Sequence, residues 1–594
     1  MIVLGLSVLT AVLTGLYPAA VPSAALAAST APTASPTAPS GTSASSAVYE
    51  AEKATLSRAA VDDRHAGFSG TGFVDYAAVV GSYVEFTVTA ASSGSADLVV
   101  RYASAAGEDR PLDITVNGAV AAARSPFAPT GAWATWREVT VRATLRAGAN
   151  KVRLAAATED GGPNLDRLTV RTTGAPLVTS VTGLRAAIAK AAPGERVVIA
   201  NGTYAVDGDI PIERRSGITV AAQSVGGVTL TGTGTFTFDR SSQVTVEGFV
   251  FRQRSGLTVP AGSTRIKIRR NVFQLTETPT DKINWLTVEG DDAEITGNAF
   301  RNKTTHGVFL QVNGAGSTMA QRVAIRRNHF YDHRWTGNGG EAIRLGYGEK
   351  GQVPAHAVVE YNLFEKAEGD DETISVKSSD NVIRGNTILG GRRGSLTLRA
   401  GDRHTVEGNF IVGGPKGVRV YGEGHTIVNN YIADVGGDGI VLGAGYDAIH
   451  QRADDTRLLF NTVVNATGSA IRVQGGANPA KDSLIADNVL VRRSAGDLLR
   501  LGGAQKATTS GNMLWDGVAG SGKRDPKLVR DTAGTYRLSA GSPAIDASKG
   551  SYPEVGEDMD GQRRVSVPDV GADEFHAEGG GGPLTRADVG PAFH

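Results

Sequence analysis

The chain contains no cysteine, so no disulfide can brace it in any compartment, and its stability must come from a buried core and perhaps from bound metal. Its 60 basic and 60 acidic residues cancel. No net field therefore recruits nucleic acid or a membrane surface, and any polyanion has to be held by a local site. Beyond the first residues, no stretch is long and apolar enough to cross a bilayer. Long runs with a 3.6-residue period are missing too, which argues against helical repeats. Glycine is abundant instead: 76 of 594 residues, about 13%, a composition that implies many turns.

The opening run "MIVLGLSVLTAVLTGLYPAAVPSAALA" is apolar and ends in small residues. Residues 1–27 are expected to be a signal peptide cleaved after an A-x-A motif, making the mature protein secreted and extracellular, although no Lys or Arg precedes the apolar run. The alternative is a membrane anchor; Pro18, Pro22 and the small-residue end count against it. Residues 28–46 form a Pro/Ser/Thr/Ala linker that cannot build a core.

From 47 to 173 the texture changes to short alternating strands such as "SYVEFTVTA" and "REVTVRATL", separated by Gly, Asn and Ser turns. That spacing predicts an all-β sandwich of jelly-roll type. Its opening "YEAE" and closing "PNLDRLTV" resemble the family 6/35 carbohydrate-binding modules. The resemblance implies a structural calcium held by Glu50, Glu52 and Asp166. Tyr102, Trp133, Trp136 and Asn164 are the sugar-binding candidates, because aromatic faces stack on sugar rings; the alternative for each Trp is core packing.

A helical face of Leu184, Ile188 and Ala191 follows, stopped by Pro193-Gly194, and is placed to cap a solenoid. Then a repeat begins. An Asn followed by mostly apolar residues recurs at 271, 298, 328, 362, 386, 409, 430, 461, 488 and 512, in steps of 21 to 34 residues. That is the length of one coil of a right-handed parallel β-helix, expected over 177–575, with the Asn residues stacked in a ladder. A second column of inward pairs is read at Val308/Leu310, Ile343/Leu345, Ile374/Val376, Leu396/Leu398, Val418/Val420, Ile440/Leu442 and Ile471/Val473. Residues 576–594 read as a tail, and "GADEF" is expected to close the solenoid.

With that register, Arg344, Ser375, Thr397 and Arg419 face outward on successive coils. Counting three residues from each first inward residue places Lys377 and Arg399 side by side, an arrangement that destabilises a sheet unless it receives negative charge. Glu341 and Glu372 stack two residues before the inward pairs, near Asn338 and Asp370. Carboxylate and amide oxygens of this kind suit calcium rather than zinc. A cation beside a Lys/Arg pair fits β-elimination of a uronic acid polymer: the ion neutralises the sugar carboxylate, the base takes the C5 proton, and the C4–O bond breaks. Lys377, its pKa lowered by Arg399 and the cation, is expected to be that base.

The blocks "NGGEAIRLG", "ETISVKS", "GSLTLRAG" and "GVRVYGEGHTIVNNYI", in this order, closely resemble polysaccharide lyase family 6, the family of alginate lyases and chondroitinase B. The resemblance implies Lys377 as base, Arg399 as acid, and Asn338, Asp370 and Glu372 as calcium ligands; Glu341 is added by the stacking argument. Two positions depart from the family: Ala400 stands where His is common, and Asp370 where Glu is usual. Arg344, Arg419, Tyr421, His404 and His425 are candidates for holding the substrate. Alginate is the expected polymer. The alternatives are chondroitin or dermatan sulfate cleavage, uronate C5-epimerisation, and a non-catalytic sugar-binding β-helix; the chain has no "GHG" loop of the polygalacturonase type.

Overall fold

A computed structural model describes residues 45–90, 94–146, 148–172, 177–493, 496–520, 522–565, 567–576 and 580–593. The expected signal peptide and most of the linker lie outside these residues. Strand Ser45–Glu50 takes in the last two linker residues, so the first domain begins slightly earlier than its composition implied.

The N-terminal domain is a sandwich of two antiparallel sheets, of six and five strands. Alternation drives it: Tyr83–Ala90 buries every second residue, and Phe86, Val100, Ile114, Phe127 and Leu154 meet in the core between the sheets.

The second domain winds three parallel sheets of 13, 13 and 12 strands into a β-helix. Helix Val181–Lys190 opens it, with the Ser180 hydroxyl accepting the Gly183 N–H as N-cap. Its Leu184 and Ile188 bury against Ile199 and Ile210, covering the first coil as anticipated.

The asparagine ladder is complete. Each Nδ2 donates to the Oδ1 of the next Asn at 2.8–3.1 Å, from Asn271 through to Asn512. The same amides also donate to strand carbonyls of the coil before, as Asn386 does to Val359. The residue ahead of every ladder Asn has φ between 51° and 64°, at Arg270, Gly297, Arg327, Tyr361, Gly385, Gly408, Asn429, Phe460, Asp487 and Gly511. Six of these ten are not glycine and accept that unfavourable conformation, which the ladder bonds hold in place. Inside the coils, Phe251, Phe273, Phe300, Phe330 and Phe364 stack with centroids 4.6–5.0 Å apart.

Two expectations need correction. Leu310 pairs with Ile343 and Val312 with Leu345, so that coil contributes Leu310/Val312 rather than Val308/Leu310. "GADEF" does not close the end of the solenoid. Gly571 donates to the Asp487 carbonyl and Ala572 to Thr462 Oγ1, which places this segment along the flank. The chain then runs back along earlier coils: Leu584 N–H meets Thr387, Arg586 pairs with Glu365 at 2.7 Å, and Gly590 N–H meets the Arg327 carbonyl.

Replacing Asn386 by Ala should remove the acceptor of the Asn362 N–H and Nδ2 and one of the two donors to Asn409 Oδ1 at once. The expected loss is about 2 kcal/mol or more, because buried amides left unpaired cost about 1–3 kcal/mol each. Denaturant unfolding of the variant against the parent measures it.

Candidate active site

Strands Ile343–Gly346, Ile374–Lys377, Leu396–Ala400 and Val418–Val420 are neighbours in one sheet. Arg344, Ser375, Thr397 and Arg419 are in register, as read from the sequence. The expected Lys377–Arg399 pairing is not. Lys377 pairs with Ala400, and the register slips after Val376. Arg399 is the extra residue of a β-bulge, the one register shift among the described strands of the helix sheets. A bulge re-aims a side chain, and so these two cations share a cleft without facing each other across the ladder.

That cleft has a volume of about 450 Å³ and is lined by Lys377 and Arg399 together with Asn338, Glu341, Arg344, Asp370, Glu372 and Arg419. Lys377 Nζ lies 3.0 Å from Glu341 Oε1. Arg344 holds both oxygens of the same carboxylate. Burial alone would raise the Glu341 carboxyl, but the Arg344 hydrogen bond and the Lys377 charge bring it down to about 2. Arg399 pairs with Glu372 at 2.8 Å, whose other oxygen accepts the Ser375 hydroxyl at 2.5 Å. Burial would lower the Arg399 guanidinium, and the Glu372 charge more than offsets it, leaving it raised. Asp370 differs: it accepts the N–H groups of Gly339, Gly340 and Glu372 and has no cationic partner among the described residues. Burial, with the nearby Glu341 and Glu372 charges, pushes its carboxyl up.

An all-oxygen set with an uncompensated acid at Asp370 fits a hard cation such as calcium. Asn338 and Asp370 are unencumbered by cations, whereas Glu372 and Glu341 are each tied to a basic side chain. These acids do not converge on one point. Among the described residues only Asp558, Asp560 and Asp573 bring three carboxylate oxygens within 4.8 Å of one another, and Arg537 is paired with Asp560 and Asp573.

Three substrate candidates are not in the cleft wall. Tyr421 is 1% exposed, packed edge-on to His450 at 5.0 Å, with its hydroxyl bonded to Arg419. His404 and His425 are buried and stacked at 5.1 Å. Their Nδ1 atoms accept the N–H groups of Asn381 and His404, making a second ladder inside the coils. Arg344 and Arg419 do line the cleft.

In the N-terminal module, Glu50, Glu52 and Asp166 gather around Ser69–Thr71. Arg101 is paired with Asp166. Tyr102 and Asn164 are both 3% exposed; Tyr102 is corrected to a core residue, its ring pointing inward onto Phe127 and its hydroxyl bonding to the Ala128 carbonyl, and Asn164 is a buried polar residue. Trp133 and Trp136 stay half-buried beside His65 and Phe73.

Residues not picked out by sequence also line the cleft, among them Tyr347, Gly348, Ser395, Lys416 and Ile449. Lys416 lies two residues before an inward pair, like Glu341 and Glu372, so carrying that column on two more coils would have found it. Ile449 comes from a long loop without a repeat signal. It packs on Gly348, and Gln451 Oε1 accepts from Gln352 Nε2 at 3.1 Å, so loops 347–355 and 443–452 meet along one side of the cleft.

Residues 178–464 match the chondroitinase B family, and residues 47–172 match the family 35 carbohydrate-binding module. The exo-beta-D-glucosaminidase of Amycolatopsis orientalis is 50% identical over 132 residues, 22% of this chain and 13% of that protein. Endo-1,4-beta-xylanase B of Cellvibrio japonicus is 37% identical over 111 residues, 18% of each. The chain thus spans less than a fifth of the length of these curated relatives. The solved structure of the PL6 family alginate lyase AlyGC shares the fold, with TM-score 0.54 and 24% identity over 64% of this chain and 59% of that one.

The imidazole ladder carries a pH signature. Burial lowers His404 well below its ordinary value and His425 to about 4. Protonating either Nδ1 would set a donor against an N–H. Unfolded histidine titrates near 6.5, so this contribution is complete above about pH 6.5 and is lost as pH falls toward about 4. The melting temperature should drop over that window, and less steeply in the His404→Asn/His425→Asn double variant; thermal melts across the pH range check it.

Proposed function

We propose that this chain, which carries a chondroitinase B-family, polysaccharide lyase family 6-like domain behind a family 35 carbohydrate-binding module, is a secreted lyase that cleaves alginate by calcium-assisted β-elimination. The observation that carries the reading is the meeting of Lys377 and Arg399 in one cleft with Asn338, Asp370 and Glu372.

A bound calcium would be held by Asn338, Asp370 and Glu372, with Glu341 next to them, and would neutralise the sugar carboxylate so that the C5–H becomes more acidic. Lys377 Nζ, fixed by Glu341 on the cleft wall, takes the C5 proton in its unprotonated form. The C4–O bond then breaks and C4=C5 forms. Arg399, whose guanidinium is held strongly cationic, donates hydrogen bonds to the departing oxygen and stabilises its charge until it is protonated. Arg344 and Arg419 sit on flanking coils to bind carboxylates of adjoining sugars.

Basic side chains on four consecutive coils, about 4.8 Å apart, suit a polymer with a carboxylate on every sugar, as alginate has. The match to the chondroitinase B family supports chondroitin or dermatan sulfate as a second reading. The module at 47–172 would keep the catalytic domain close to its polymer and raise the effective concentration.

Near-ultraviolet absorbance should rise as unsaturated uronate accumulates on alginate, and EDTA should abolish the rise. Lys377→Ala should lower kcat by about 10³-fold, within the span of general base catalysis, while melting like the parent. A rise on dermatan sulfate alone would establish the second reading; no rise on any uronate polymer from folded, calcium-supplemented protein would reject both.

A further inference from the structure

The position two residues before each inward pair changes sign along the helix. It holds Glu341, Glu372, Gly394 and Lys416 on successive coils. Lys416 is exposed, lines the cleft, and has no carboxylate partner among the described residues. Beside it, Arg393 and Gly394 share a small cavity with Lys416. The Arg393 guanidinium lies 3.6 Å from the centroid of the Trp335 indole and pairs with Asp371 at 2.5 Å. Asp371 also lines the cleft, so this group continues its rim.

Trp335 is 39% exposed, more open than any other tryptophan among the described residues. The core has no use for it there. Arg393 covers one face of the indole and shares the small cavity with Lys416, and the part of the ring left open beside these cations is complementary to an acidic pyranose: the C–H face of the sugar packs on it, and the carboxylate meets the basic groups. The Arg393–Asp371 pair does not block this, because the Asp371 side chain is 65% exposed and a pair so open to water contributes little.

We propose that Trp335, Arg393 and Lys416 form an outer subsite for a uronate residue of the polymer. It rests on the reading of the cleft as a uronate-polymer site and adds where a further sugar lies. Lys416 is two coils from Lys377, about 10 Å along the stack, too far to serve the ring at which the bond breaks. The subsite binds and positions the polymer and takes no part in proton transfer.

The test compares the full chain with Trp335→Ala and Lys416→Met. On polymeric alginate each variant should raise KM about tenfold, with kcat changed less than about twofold and the parent's melting temperature retained. On the shortest oligosaccharide still cleaved, the two variants should match the parent. Unchanged KM on polymer, or a fall in kcat at constant KM, overturns the subsite. A binding titration separates this outcome from failure of the lyase reading. Lys377→Ala protein is titrated with alginate with and without Trp335→Ala, and the N-terminal module contributes equally to both. About tenfold weaker binding in the double variant supports the subsite even if the parent cleaves nothing; equal affinity, or no binding by either protein, overturns it.

Discussion

The amide ladder from Asn271 to Asn512 is the constraint on which the rest of the β-helix depends. Each rung fixes where one coil sits on the next, and each also holds a left-handed turn residue that six of the ten coils would otherwise resist. Parallel strands of three residues have little register information of their own. Tied through the ladder, they carry side chains at matched heights over many coils. The inner phenylalanine stack and the His404–His425 pair are secondary spines under the same register.

A rigid register lets charge be distributed along an axis. Acids collect on the coils of Glu341 and Glu372, and cations without a carboxylate partner among the described residues on the coil of Lys416 and Arg419. In between, each cation is bonded to a carboxylate: Lys377 to Glu341, and Arg399 to Glu372. The two carboxylates are buried, and buried ions are costly unless paired. The pairing leaves Asp370 without a cationic partner among the described residues, and burial with the Glu341 and Glu372 charges pushes its carboxyl up.

Much of this was legible in the chain itself. The Asn spacing, the inward pairs, and the Lys377/Arg399 and acid blocks all follow from periodicity and motif, and the capping helix from its apolar face. The misreadings have physical causes. Tyr421, His404 and His425 lie on the coils of the site, but counting residues cannot tell which way a side chain turns where a strand gives way to a corner, or which loop covers it; the two histidines turn inward, and Tyr421 is covered by Tyr446 and His450 of loop 443–452. Tyr102 continues the inward parity of Leu98 and Val100 along its strand, and Asn164 is buried at the start of strand Asn164–Thr172. Lys377 and Arg399 were placed opposite each other because a constant step of 22 residues assumes unbroken pairing, and the bulge breaks it. Ile449 and Trp335 come from loops of irregular length, where no repeat carries information. Fold regularity was readable; departures from it, which shape the site, were not.

That one bulge has an implication for how such a molecule can change. Solenoids lengthen by copying coils, each in contact only with its neighbours. A copied coil would extend the trough and add another row of side chains to grip a chain-like ligand. It would not reproduce the Lys377–Arg399 arrangement, which requires one residue out of step with the repeat. Length of grip and the Lys377–Arg399 arrangement are therefore separately adjustable in this architecture: the first follows the number of coils, and the second needs one bulged coil set against the neighbour that carries Lys377.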